Sequence, residues 1–170
     1  MNALEKVRFL KDRKDQEGYG GPYFLDISTE ENKWQPGEIE DLEKQYPWLP
    51  KFYIDFIQEF DSLGLAWVVF YGSRESEITP VYEEIEYWED NAKGEYFPFG
   101  KDPSGSIYNF NKKGEVIFFS IDDYEWEKPI FIASNLEEFI DQCLLGSRYK
   151  EFNILEGDTF YDFLKDQGWT

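Results

Sequence analysis

Pro47 and Pro50 divide a long apolar-patterned stretch and restrict what it can become. Upstream, Ile39, Leu42 and Tyr46 recur at i, i+3, i+7, which is one face of a helix. Glu38 and Glu40 stand near its start, where the helix dipole favours anions. Pro47 ends it, lacking the N–H that would continue the ladder. Pro50 suits the first turn of a second helix, where no intrahelical partner is needed. Leu49, Tyr53, Phe56, Ile57 and Phe60 then form one stripe at i, i+4, i+7, i+8, i+11, with Gly64 beyond. Two short helices meeting at Tyr46-Pro47-Trp48-Leu49-Pro50 are expected, the second burying Leu49 to Phe60.

The remaining chain alternates between helix and strand signals. Met1 to Asp15 reads as a short amphipathic helix stopping near Gly18, followed by a turn-rich break through Gly20, Gly21 and Pro22. The continuous apolar run 66–71, bounded by Gly64 and Gly72, predicts a central strand buried on both faces. Residues 78–82 read as a strand, and 83–91 as a helix or an acidic connection. Asp102-Pro103-Ser104-Gly105 is a turn. Residues 106–110 and 115–121 predict strands joined by the glycine-containing loop Asn111-Lys112-Lys113-Gly114. After a charged loop, 130–133 is a strand. Ser134 or Asn135, followed three residues later by Glu137 or Glu138, has the spacing of a helix-capping box. Leu136, Phe139, Ile140, Cys143 and Leu144 make that helix's apolar stripe, and Gly146 suits its C-terminal cap. Phe160, Phe163 and Leu164 suggest a last short helix before Gly168. No repeat or low-complexity linker separates these pieces, so 1–170 reads as a single domain.

Composition narrows the chemistry. The 170 residues carry 36 Asp and Glu against 17 Lys and Arg, a formal net charge of −19, with no histidine and one cysteine. Without histidine, neither a Ser-His-Asp nor a Cys-His centre can form. A His/Cys zinc site is excluded with it, and an intrachain disulfide needs a second cysteine. Hence no metal, no cofactor and no catalytic centre are expected. A surface of this sign repels phosphates, so nucleic acid and anionic membrane are not expected partners. Aromatics make up 20% of the chain, far more than disordered acidic segments carry. The picture is a folded domain with an acidic skin. No unbroken apolar run resembles a signal peptide or a membrane span, and a cytoplasmic protein is expected.

Four segments, taken in order, resemble the Smi1/Knr4 family, also called the SUKH superfamily. Glu38-Ile39 to Leu42-Glu43 looks like the family's first core helix. Leu49-Pro50-Lys51-Phe52-Tyr53 to Phe56-Ile57 looks like its second. The turn Phe97-Pro98-Phe99-Gly100-Lys101-Asp102-Pro103-Ser104-Gly105 resembles the one preceding its hairpin, and Ala133-Ser134-Asn135-Leu136-Glu137-Glu138-Phe139 resembles its closing helix. The likeness spans about residues 36–144, leaving 1–35 and 146–170 as peripheral extensions. Asp61-Ser62-Leu63-Gly64 departs from the family's Asn-Gly pair, and Ser106 from its usual Asp or Asn. The resemblance implies an α+β fold, an antiparallel-rich sheet packed against several helices. It also implies binding and not catalysis: bacterial members look like immunity proteins that silence a cognate toxin, often a nuclease, and fungal members like regulators. No shared catalytic residues come with the family.

Two segments combine acids with aromatics, as a face for a basic protein partner such as a toxin domain would. The first lies within an acid-rich run and comprises Glu83, Glu84, Glu86, Tyr87, Trp88, Glu89 and Asp90. The second is Asp122, Asp123, Tyr124, Glu125, Trp126 and Glu127, in a loop between strands, where binding residues gather. The competing reading of both is a solvated acidic surface with its aromatics turned into the core. Asp102 to Gly105 offers one carboxylate where a calcium loop needs several. Gly100 and Gly105 have the spacing of a phosphate loop, but Ser106-Ile107 replaces its Lys-Ser/Thr. Cys143 reads as a buried inert thiol. Two alternatives stay open: an intracellular regulatory interaction module without a toxin, and a carboxylate-based enzyme holding carbohydrate on exposed Trp and Tyr. With 36 acids, a pair at glycosidase separation arises by chance.

Overall fold

A computed structural model describes residues 1–170 apart from Tyr19, Gly20, Ile78, Lys93, Tyr124 and Glu125, and apart from the side chains of 89–92. Among the described residues, seven strands form one sheet in the order β1 to β7, every neighbouring pair antiparallel: β1 Ile27–Thr29, β2 Leu63–Leu65, β3 Val68–Phe70, β4 Tyr96–Lys101, β5 Ile107–Asn111, β6 Val116–Phe119 and β7 Ile130–Ala133. The helices are α1 Ala3–Glu17, α2 Pro36–Gln45, α3 Lys51–Glu59, α4 Val81–Ala92, α5 Leu136–Glu138, α6 Tyr149–Phe152 and α7 Thr159–Asp166. This is the expected α+β domain.

The two prolines act as the sequence requires. In α2, Pro36 occupies the first turn and the Glu38 carboxylate reaches back to accept the Gln35 N–H at 3.1 Å. The helix stops at Gln45, ahead of Pro47. Pro50 stands immediately before α3 in an extended conformation. Tyr53, Phe56, Ile57 and Phe60 are buried, as is Ile54. Leu49 is only half-buried, because it precedes the first helical turn and so lies off the stripe. The β5–β6 hairpin forms in the expected place, with Ile107 opposite Phe119 and Phe110 opposite Val116. Gly114 turns the loop at φ 77°, and the Asn111 side chain accepts the N–H groups of Lys113 and Glu115.

Three expectations need correction. The run 66–71 is not one strand. Leu65 pairs with Val68, so Ala66 and Trp67 form a two-residue turn between β2 and β3, with Ala66 at φ 52°. The turn stays apolar because it is covered: the Trp67 indole donates to the Tyr108 hydroxyl at 3.0 Å and packs on Tyr149 and Phe152. Val69, between buried Val68 and Phe70, is half-buried, so the strand is not sealed on both faces. Residues 81 and 82 begin helix α4 and are not strand; Ile78 lies outside the described residues, and among those described in this stretch Pro80 pairs with Gly72 in an isolated parallel bridge. Lastly, the closing helix makes one α turn, capped by Asn135 through the Glu138 N–H, and widens into a π-helix over Phe139–Leu144. Gly146 does not cap it in the left-handed region. A Cβ there would stand 2.2 Å from the Asp141 carbonyl oxygen, so glycine serves close approach.

The main core lies between one sheet face and α1, α3, the π-helix and α7, and holds Phe56, Phe99, Phe110, Phe139 and Phe163. Strand alternation places Tyr108, Phe110 and Val116 toward this core and Ile107, Ile117 and Phe119 toward the opposite face. That second face positions the candidate site.

Candidate functional site

On the second face, Ile107, Ile117 and Phe119 form a small cluster with Trp88 of α4, and Trp126 and Tyr96 pack against it. The Trp88 ring centroid lies 5.1 Å from Phe119 and 5.1 Å from Trp126. Tyr87 meets Trp126 at 6.5 Å, edge to face. The two acidic-aromatic segments, about forty residues apart in sequence, are therefore joined in space through their rings.

Tyr87 and Trp88 divide the two sequence readings between them. Adjacent residues on a helix point about 100° apart, so one turns inward and the other outward. Trp88 is 2% exposed and belongs to the core; Tyr87 is 52% exposed. Trp126 lies between these extremes, half-buried, its backbone at φ 52°. The bend is held by Asp123, whose carbonyl accepts the Trp126 N–H at 3.0 Å and whose carboxylate accepts the Lys128 N–H at 2.8 Å. Asp123 thus shapes the loop. Asp122 and Glu127 are exposed, as are Glu83 and Glu86. Glu84 is half-buried, and burial raises its pKa despite nearby Lys101. Among the described residues it forms no ion pair within 4 Å. Tyr124 and Glu125, and the side chains of Glu89 and Asp90, lie outside the described residues.

Between these segments runs a groove of about 520 Å³. Helix α4 supplies Glu83, Glu84 and Tyr87, and the facing loop supplies Ile121 and Trp126. Gly105 and Ile107 complete the lining. The last two and Ile121 were not singled out by sequence. The sequence favours a plain turn at Gly105 over a calcium or phosphate loop, and a turn it is: Gly105 sits at φ 92°, and the Asp102 carboxylate accepts the N–H groups of Ser104 and Ser106. Alternation along β5 is the signal that would have placed Ile107 on this face.

Tyr87, Ile107, Ile121 and Trp126 give this groove apolar walls, and the Glu83 and Glu84 carboxylates line it beside them. Among the described residues, no group of three or more His, Cys, Asp or Glu is placed to hold a metal ion. Cys143 is buried in the main core, and burial pushes its thiol up to about 11. Among the described residues, no helix is long and apolar enough to cross a membrane.

The SMI1-KNR4 cell-wall family matches residues 36–140, from the first turn of α2 into the π-helix. The chain belongs to this Smi1/Knr4, or SUKH, family. The match covers six of the seven strands and contains both candidate segments; α1, β1, α6 and α7 fall outside it. No curated protein matches the chain.

Proposed function

We propose that this chain is a protein-binding domain of the immunity type, which neutralises a cognate bacterial toxin by direct binding and occlusion. One observation carries the reading. Helix α4 and the 121–127 loop, the two acid-rich aromatic segments, come together around an exposed Tyr87 and a half-buried Trp126. The acids steer a basic partner and the rings anchor it. A nuclease is a fitting target, since the basic surface that holds its nucleic acid is the surface an acidic protein would cover. Binding, not catalysis, is the role, in a cytoplasmic setting where the toxin would act.

Co-expression with the product of the adjacent gene tests this. The expected outcome is growth arrest by that product alone, rescue by this chain, and a complex recovered from the rescued cells. A complex without any growth effect would favour a regulatory interaction module instead. Absence of both would overturn the immunity reading.

A further inference from the structure

The groove between α4 and the loop carries more detail than a steering surface needs. Glu84 lies half-buried in it, with no ion pair within 4 Å among the described residues. Beside it, the Tyr87 and Trp126 rings stand at 85° to each other and make a corner. Ile107 and Ile121 extend the apolar lining. Each feature eliminates an occupant. An apolar side chain would bury Glu84 further and bring no charge of its own to offset the desolvation, leaving nearby Lys101 to favour the carboxylate. A second copy of this chain would bring another −19 to a face already acidic. A lysine brings charge as a strongly hydrated point, with no plane to lay on a ring. An arginine brings an apolar stem for the corner, a flat guanidinium that stacks on aromatic faces, and paired N–H donors matched to a carboxylate.

We infer that this groove seats one arginine side chain of the basic partner, its guanidinium on the Glu84 and Glu83 carboxylates and its stem in the Tyr87–Trp126 corner. The inference rests on the proposed role of this face and names the anchor within it. Sites of this size take small ligands, so one side chain with the backbone carrying it fits. The rest of the acidic rim then meets other basic residues without being read one by one.

The test uses the full chain labelled with ¹⁵N and three capped pentapeptides, glycine throughout except for a central arginine, lysine or citrulline. The arginine peptide should shift the Trp126 indole N–H and the amides of 83–87 and 105–107 saturably. Lysine should bind several-fold more weakly, and citrulline, which keeps the shape but lacks the charge, should leave the spectrum unchanged. Glu84→Gln, which preserves side-chain volume, should weaken the arginine peptide about tenfold, the scale of one charge-assisted hydrogen bond. Trp126→Ala should weaken it as well, with the fold checked in the same spectra. Equal shifts from lysine and arginine at this face, insensitive to Glu84→Gln, would overturn the anchor while leaving an acidic binding face. Shifts confined to other surfaces would overturn both.

Discussion

Lys6 is a cation inside a protein whose basic groups mostly stay outside. It is 6% exposed, and its ammonium lies 2.7 Å from the Asp141 carboxylate. It also donates to the Asp141 and Leu145 carbonyls at 3.2 and 3.3 Å. These carbonyls belong to the end of the π-helix, where unpaired C=O groups favour a positive charge. Lys6→Met keeps the stem and removes the charge, leaving the Asp141 carboxylate without its cation, with the Gln142 amide still donating to it, and two carbonyls without the Lys6 donor. A loss of about 3 kcal/mol is expected, read as a lower urea midpoint with unchanged slope. Asp26 presents the opposite case. Burial raises its carboxyl to about 6, from an ordinary 3.8, with Asp158 adding to the shift and Lys14 opposing it. The folded state therefore binds this proton more tightly than the unfolded state. The stability this group contributes is complete below pH 4 and is lost as pH rises toward 6 and above. Asp26→Asn should be more stable than the parent at pH 7, with the difference shrinking on acidification to pH 4. Thermal melts of both proteins across that range measure it.

At the scale of elements, what could be read from sequence followed periodicity. Helices α2 and α3, the β5–β6 hairpin and β7 lie where apolar spacing and turn chemistry put them. Misreadings arose where local pattern is degenerate. The Ala66-Trp67 turn lacks the glycine or asparagine that marks most hairpins, and its tryptophan is apolar because Tyr108, Tyr149 and Phe152 cover it. Strand β1, three residues long, offers too few positions to show alternation. The π-helix has the same apolar residues an α-helix would have; only the close contact of Gly146 with the Asp141 carbonyl marks the wider turn. That contact is testable. Gly146→Ala would push a Cβ against backbone that cannot swing aside, so a loss of about 3 kcal/mol is expected. Chemical denaturation measures the loss. Amide exchange should quicken first in the π-helix and in α1, which docks on it through Lys6. The candidate site was legible as two segments and not as one face. Their meeting depends on the β5–β6 register, which brings Ile107 opposite Phe119 beneath Trp88 and Trp126, and no local signal encodes it. Glu84 and Asp123 also needed the fold, since exposed and half-buried acids look alike in sequence.

Across the whole molecule, the proposed role would divide the work of binding between charge and shape. A net −19 on 170 residues makes a field that reaches about a Debye length, roughly 8 Å at physiological ionic strength. Such a field can raise association with a basic partner by ~10–10³-fold. It acts before contact, so exposed rim charges should govern association and its salt dependence, and desolvated rings should govern dissociation. Glu86, Asp122 and Glu127 are the rim positions to reverse, being exposed, outside the proposed arginine seat and free of any described role in holding the fold. Glu84 and Asp123 are unsuited to that test, one half-buried and the other bracing the loop. Under the proposed role, reversing the three to Lys should slow association with the basic partner by at least about tenfold at low salt. The two association rates should converge as salt rises, while dissociation changes little. Trp126→Ala should do the reverse, leaving association nearly intact and speeding dissociation. Stopped-flow mixing or surface kinetics on the cognate pair, run from low to high salt, separates the two effects. Unchanged association after the triple reversal would place the partner on another face of the domain. Faster association would mean that the partner is itself acidic there, and electrostatic steering by α4 and the loop would then be wrong in sign.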